Sequence, residues 1–325
     1  MRLICLVNTI DNIISGNATT RLLTAALRRG HDVWLTQPDD LGLGTSDQIT
    51  ARAISAILDG DRFVLGAYKQ LVVRASDVLF LRTRPDRDPN RQWAHHIAMS
   101  LARMARQQGV LVLSDPDGLT AAASKLYPTL LPRSLRPEAL ITRDPEQIRS
   151  YVLKSEEPVI LKPLDGDRGR DIFRVHRDDL SNLTQIVDVL TRHGFAVVQR
   201  FLPAAREGDV RILLLDGAPI VVDGALAAIR RVPGDADFRS NLHFGGHLAD
   251  AEMTPQLEAI IDAVGPRLRE DGIFLASVDV IGDVVVEVNI FNPDKFAHAA
   301  RFARLNVAGA VIDGIEKRAH AHHRR

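Results

Sequence analysis

Val159-Ile160-Leu161-Lys162-Pro163-Leu164-Asp165-Gly166-Asp167-Arg168-Gly169-Arg170-Asp171-Ile172-Phe173-Arg174-Val175 sets a lysine inside an apolar strand, follows it with a loop holding two glycines, and resumes with a second apolar strand. A lysine flanked by Ile160, Leu161 and Pro163 reaches bulk water with difficulty, and an unpaired ammonium there is costly or loses its proton. It calls for an anion. Gly166 and Gly169 let backbone N–H groups approach phosphate oxygens with no Cβ in the way, so the stretch reads as a flap over phosphates. The competing reading is a plain hairpin whose lysine snorkels to the surface.

The composition excludes several classes. Lys+Arg 41 balances Asp+Glu 41, so no net field favours a nucleic acid or a membrane surface. The longest apolar runs are of strand length, too short to span a bilayer. Met1 leads directly into the strand-like Arg2-Leu3-Ile4-Cys5-Leu6-Val7, which is no signal peptide. Cys5 is the single cysteine, which removes a disulfide framework and a cysteine metal cluster and points to a cytoplasmic protein. Of the 41 basic residues only six are lysine (69, 125, 154, 162, 295 and 317). Where lysine persists at a sheltered site, a compact point charge is wanted in place of a planar fork.

Along the chain, strands at Leu3–Val7, Val33–Thr36, Asp77–Leu81 and Val110–Leu113 alternate with helices after Asn17 and over Trp93–Gln107. That rhythm predicts an α/β fold with an open parallel sheet. Residues 38–61 read as loop-rich, and the proline-broken stretch Ser114–Arg136 marks a boundary. The second half reads as α+β lobes. Short strands at Ala139–Thr142, Val159–Leu164, Ile172–Val175 and Ala196–Gln199 enclose helices over Asp144–Leu153 and Asp178–Arg192. Two tight hairpins follow, through Asp216-Gly217 and Gly282-Asp283, with amphipathic helices over Pro255–Glu270 and Leu305–Lys317. The expected lobes are 1–122, 123–200 and 201–318, with 319–325 as a flexible, histidine-bearing tail.

In the last hairpin Glu287 and Asn289 are two apart, so both side chains leave one face of the strand. Asp279 on the adjoining strand can enter the same space. Three oxygen-bearing side chains on an otherwise apolar sheet suit a hard cation such as Mg²⁺; the alternative is a solvent-facing polar edge. Arg211, Arg231 and Arg239 add guanidinium groups able to hold a carboxylate or a transferring phosphoryl group.

Taken in order, Lys162-Pro163-Leu164-Asp165-Gly166, Ile172-Phe173-Arg174-Val175, Phe201-Leu202-Pro203-Ala204, Gly208-Asp209-Val210-Arg211, Arg231-Val232-Pro233, Phe238-Arg239-Ser240-Asn241-Leu242 with Gly245-Gly246, Asp279-Val280-Ile281-Gly282-Asp283 and Glu287-Val288-Asn289 resemble bacterial glutathione synthetase of the ATP-grasp superfamily. Leu81-Arg82 and Ser124-Lys125-Leu126 extend the likeness, more loosely, into the first half. The resemblance implies an ATP-grasp fold and a ligase that phosphorylates a carboxylate with ATP and passes the acyl group to an amine. It implies Lys125 and Lys162 on the ATP phosphates, Asp165, Gly166 and Gly169 in the flap, and Gln199, Arg200, Phe201 and Leu202 facing adenine. Asp279, Glu287 and Asn289 would hold two Mg²⁺, with Mn²⁺ as a substitute. Arg211 and Arg231 would steady the transferring group, and Arg239, Asn241, Gly245, Gly246, Asn292 and Asp294 would meet substrate. Small-molecule partners and a homo-oligomer, dimer or tetramer, are implied as well. Such chemistry rests on positioning and charge neutralisation, in keeping with a sequence that offers no Ser/His or Cys/His pair.

Three stretches depart from the family pattern. The flap Gly166-Asp167-Arg168-Gly169-Arg170-Asp171 carries four charged residues; Asn292-Pro293-Asp294-Lys295 replaces a Ser/Thr-Pro-Thr run; and Asn17-Ala18-Thr19 replaces an Asp-Ser-Ser element. γ-Glutamylcysteine and glycine are the first pair to try, and the departures lead to the expectation that they serve poorly and that a ligase reassigned to another carboxylate and amine is at hand. A nucleotide-binding scaffold without turnover is a further alternative, opposed by the presence of Arg211, Asp279, Glu287 and Asn289 together.

Overall fold

The computed structural model describes residues 1–11, 13, 17–165, 170–234, 245–293 and 305–324. The chain opens with β1 (Arg2–Leu6), α1 (Ala18–Arg28), β2 (Asp32–Thr36), β3 (Leu41–Leu43), β4 (Ile49–Asp59), β5 (Arg62–Val72), β6 (Asp77–Leu81), α2 (Gln92–Gln107) and β7 (Leu111–Leu113). Asn17 starts α1 by accepting from the Thr20 N–H at 2.7 Å, and Gly30, at φ +75°, ends it. The sheet runs β3-β4-β2-β1-β6-β7, and β2, β1, β6 and β7 are mutually parallel, as expected.

The loop-rich reading of 38–61 is corrected. β4 and β5 form a long antiparallel hairpin, and β4 joins the parallel core through β2. A register shift between Ile54 and Ala56 breaks the alternation of β4, and β5 buries only Leu71, so neither strand shows a clean period of two.

After the short α3 (Pro116–Ala121) come β8 (Ala139–Thr142), α4 (Pro145–Lys154), β9 (Val159–Pro163), β10 (Phe173–Val175), α5 (Leu183–Thr191) and β11 (Ala196–Arg200). These strands make an antiparallel sheet in the order β10-β9-β11-β8. Val159, Leu161, Ala196 and Val198 point into its own core with Ile148 and Val152 of α4 and Val187 of α5. The alternation places Ile160, Lys162, Val197 and Gln199 on the opposite face.

The last part contains β12 (Asp209–Leu215), β13 (Ala218–Pro219), β14 (Val221–Val222), β15 (Ala225–Leu226), β16 (Ala228–Val232), β17 (His247–Asp250), α6 (Pro255–Glu270), β18 (Leu275–Ile281), β19 (Val284–Asn289) and α7 (Val307–His322). The principal sheet is β17-β16-β12-β18-β19, antiparallel throughout, with β13 beside β12. Asp216 and Gly217, both at positive φ, turn β12 into β13.

α7 packs on α1, where Arg29 donates to Asp313 at 2.6 Å and Glu316 at 3.0 Å. The first and last parts share apolar clusters, whereas the middle part has its own. The expected tail is corrected too: residues 319–322 are the last turn of α7. Ala319 is buried, and His322 Nε2 lies 2.8 Å from the Gly109 carbonyl.

Candidate functional site

One face of the last sheet carries the charged groups, and its register lines them up. Arg211 of β12 stands opposite Asp279 of β18, which stands opposite Glu287 of β19. In the adjoining pairs, Asp209 faces Arg231 of β16 and Ser277 faces Asn289. Paired residues share a face. Arg211 donates through Nε to Asp279 Oδ1 at 2.6 Å and through Nη2 to Oδ2 at 2.5 Å. Arg231 Nη2 reaches Asp279 Oδ2 at 2.7 Å and also bonds Asp209, whose oxygens accept from Nε at 3.1 and 3.0 Å.

These four residues are buried. Burial by itself would raise the Asp279 carboxyl, but Arg211 and Arg231 outweigh it and hold that carboxyl well below the usual carboxylate range. Burial likewise works against the Arg231 cation, and Asp279 and Asp209 overcome it, pushing its pKa above the ordinary guanidinium value. Glu287 is different. Its side chain is 35% exposed, and its closest oxygen lies 4.0 Å from Arg211 Nη2, so its carboxylate remains open to a ligand.

The middle sheet supplies the opposing wall. Lys162 sits half-buried on β9, and its pKa falls from 10.5 to about 8, with burial the main cause, Glu287 acting to raise it and Lys125 to lower it. The lysine therefore feels the carboxylate of the last sheet across the gap. Lys125 Nζ donates to the carbonyls of Pro163 at 3.1 Å and Leu164 at 3.0 Å, fixing the end of β9.

Gln199 and Phe201 are buried, Leu202 is partly exposed and Arg200 is exposed. The Arg174 guanidinium lies 4.6 Å from the Phe201 ring centre. A cleft of about 720 Å³, lined by Lys125, Leu164, Asp165, Arg170, Glu287 and Asn289 among others, opens between α2, the end of β9 and the end of β19. That volume suits a small-molecule site.

Glu287, Asn289 and Asp279 offer hard oxygen donors on one face, which fits a Mg²⁺-like ion completed by phosphate and water. Both Asp279 oxygens already accept from arginines, so Glu287 and Asn289 are the more open pair. Among the described residues no three His, Cys, Asp or Glu side chains cluster as a metal site, so the donor set is two carboxylates and an amide.

Of the remaining expected site residues, Gly166, Gly169, Arg239, Asn241 and Asp294 lie outside the described residues. Gly245, at φ +85°, and Gly246 lead into β17. Asn292 accepts a hydrogen bond at Oδ1 from Arg82, and a long one of 3.4 Å from Thr19 Oγ1, so it ties the end of β19 to the first sheet. Sequence reasoning missed Asp209, the second partner of Arg231; its signal was the two-residue spacing from Arg211, which puts both on one strand face.

A lysine-bearing antiparallel sheet closing over an Arg/Asp/Glu face of a second antiparallel sheet defines an ATP-grasp ligase, an enzyme that forms carbon–nitrogen bonds with ATP and a divalent metal. The profile described as "Prokaryotic glutathione synthetase, ATP-grasp domain" matches residues 124–303, and that described as "Prokaryotic glutathione synthetase, N-terminal domain" matches 1–120. The chain belongs to the prokaryotic glutathione synthetase family.

It is 33% identical over 311 residues to the glutathione synthetase of Brucella melitensis, covering 94% of this chain and 95% of that one. It is 34% identical over 307 residues to that of Mesorhizobium japonicum, covering 93% and 94%. Among solved structures the fold matches D-cycloserine synthetase DcsG at a TM-score of 0.66 and 14% identity, over 98% of this chain and 99% of that one. It also matches the ATP-grasp ligase PsnB, with Mg and ADP, at 0.63 and 17% identity over 97% and 98%. Among the described residues no helix is long and apolar enough to cross a membrane.

Proposed function

We propose that this ligase activates the carboxylate of a γ-glutamyl dipeptide, γ-glutamylcysteine first among them, and joins it to glycine. The observation that carries the reading is the line Arg211–Asp279–Glu287, three side chains in register on one sheet face, of which Glu287 is electrostatically coupled to Lys162 on the other wall. A carboxylate oxygen of the donor attacks the γ-phosphorus of ATP, and the bond to the β-phosphate oxygen breaks to release ADP. The amine nitrogen then attacks the acyl carbon and gives up a proton to solvent, and phosphate leaves with the oxygen it gained. Two divalent cations, Mg²⁺ or Mn²⁺, held by Glu287, Asn289 and Asp279, would neutralise phosphate charge.

Lys162 and Lys125 hold phosphate oxygens, Gln199, Arg200, Phe201 and Leu202 bound the adenine, and Asp165, Gly166 and Gly169 cover the nucleotide. Arg211 and Arg231, steadied by Asp279 and Asp209, keep their guanidinium groups in fixed positions beside the transferring group and cost no reorganisation as charge develops. Arg239, Asn241, Gly245, Gly246, Asn292 and Asp294 are the substrate-side residues. The chain acts on small molecules, as an assembly of identical subunits.

A second reading, a different carboxylate and amine pair, is favoured by one observation: Thr19 and Asn292, which both stand where the sequence leaves the family pattern, meet at 3.4 Å. The test is phosphate release with product mass for γ-glutamylcysteine and glycine. A kcat/KM of about 10⁴ M⁻¹s⁻¹ or more supports glutathione formation, and a value a hundredfold lower moves the assignment to another pair.

A further inference from the structure

Two buried polar atoms on the site-bearing face, Ser277 Oγ and Asn289 Nδ2, have no hydrogen-bond partner among the described residues. They are not scattered: Ser277 of β18 and Asn289 of β19 stand directly opposite each other in the ladder. Directly opposed residues on one face have Cβ atoms about 4.5–5.5 Å apart, within reach of a single rotamer change. A buried polar atom left without a partner is costly, so two that face each other unpaired mark an arrangement completed in another side-chain state.

The neighbours of Ser277 narrow what that state is. Across β12 it faces Leu213, and along its own strand the same face carries Leu275 and Asp279. Leucine side chains offer no acceptor or donor, and the Asp279 oxygens accept from Arg211 and Arg231. Among its described neighbours in the sheet, Asn289 is the polar side chain remaining.

We propose that Ser277 is a positioning residue for the cation site: its hydroxyl oxygen accepts from Asn289 Nδ2, and that bond turns Asn289 Oδ1 toward the cleft beside Glu287. The two ends of a carboxamide have nearly the same shape and opposite hydrogen-bonding roles. With no acceptor behind it, the Asn289 amide presents its N–H groups to a cation as readily as its oxygen. With Ser277 behind it, the oxygen faces forward. Partners that orient a metal ligand in this way typically change metal affinity 10–100-fold when removed. The inference rests on the cation site of the proposed function, and Ser277 itself touches neither cation nor substrate.

The test uses the full chain with Mn²⁺ as the probe, free Mn²⁺ being followed by electron paramagnetic resonance at saturating ADP. Ser277→Ala is expected to weaken Mn²⁺ binding about tenfold while ADP binding in EDTA and the thermal midpoint stay at wild-type values. In an Asn289→Asp background, where an oxygen is presented whichever way the group turns, Ser277→Ala is expected to change Mn²⁺ binding less than twofold.

A wild-type affinity in Ser277→Ala, an equal loss in the Asn289→Asp background, or a fall in thermal midpoint accompanied by lost ADP binding overturns the proposal while leaving the functional reading in place. Wild-type protein that binds no Mn²⁺ with ADP overturns the functional reading and this proposal together.

Discussion

Thr19 Oγ1 lies 3.4 Å from Asn292 Oδ1, and Arg82 donates to the same oxygen. Residues 273 positions apart thus meet where the first turn of α1 reaches the segment after β19. Asn292 tolerates its φ of +47° because Asn is among the few residues that enter the left-handed region cheaply. Asn292→Ala is expected to lower stability by about 2 kcal/mol, since it removes one side-chain acceptor from the buried Arg82 guanidinium, and hydrogen bonds to charged groups contribute about 1.5–3 kcal/mol. Thr19→Ala is expected to cost less than about 0.5 kcal/mol, because a 3.4 Å contact is a poor hydrogen bond. Urea midpoints of the two variants check the order, and a larger loss for Thr19→Ala would show that Arg82 does not carry the contact.

If the joint shapes the acceptor side of the cleft, the same Asn292→Ala variant shifts selectivity. Relative kcat/KM for glycine against alanine as the amine is expected to change about tenfold, on the scale of one mismatched polar contact. Unchanged selectivity with reduced stability would assign Asn292 to the lobe joint alone.

The Arg211–Asp279–Arg231–Asp209 network and the open Glu287 carboxylate predict opposite outcomes for two similar substitutions. Asp279→Asn leaves two buried guanidinium groups short of negative charge, which is expected to cost about 3–5 kcal/mol of stability. Glu287→Gln removes a charge from a side chain that is 35% exposed, and stability is expected to stay within about 0.5 kcal/mol of wild type. Turnover of Glu287→Gln is expected to vanish all the same. Denaturation midpoints together with ATP turnover decide it, and turnover within about threefold of wild type would show that Glu287 holds no ligand.

Much of this site was legible because strands write it plainly. Glu287 and Asn289 two apart, Asp279 on the neighbouring strand and Lys162 among aliphatic residues all follow from alternation and from the cost of burying charge. Asp209 was only half legible: its spacing from Arg211 puts it on the same strand face, but its pairing with Arg231 exists only once β16 lies opposite it. The Thr19–Asn292 contact depends wholly on tertiary placement. The β4–β5 hairpin escaped for a local reason: a register shift in β4 and a largely exposed β5 remove the contrast between faces. The end of α7 escaped because His320, His322 and His323 look like a solvated tail in sequence, although helix termini favour such residues near their carbonyl ends.

Lys162 sets a pH dependence with two opposite signs. Its pKa lies near 8 in the folded chain against 10.5 ordinarily, so between those values the unfolded chain binds more protons than the folded one. Folding stability therefore rises with pH through that window, as this group's cost of burial disappears. ATP affinity runs the other way. The ammonium meets phosphate below about pH 8 and is lost above it, and a charge-assisted contact of about 1.5–3 kcal/mol corresponds to roughly a 10–100-fold rise in Kd.

Two variants identify the group. Lys162→Arg stays charged throughout and is expected to flatten both profiles. Glu287→Gln removes the carboxylate that raises the Lys162 pKa, so the break in ATP affinity is expected to move below 8. Kd for ATP without divalent cation, measured from pH 6.5 to 9.5 for the three proteins, is the experiment. A break that stays in place in Lys162→Arg would assign it to another residue.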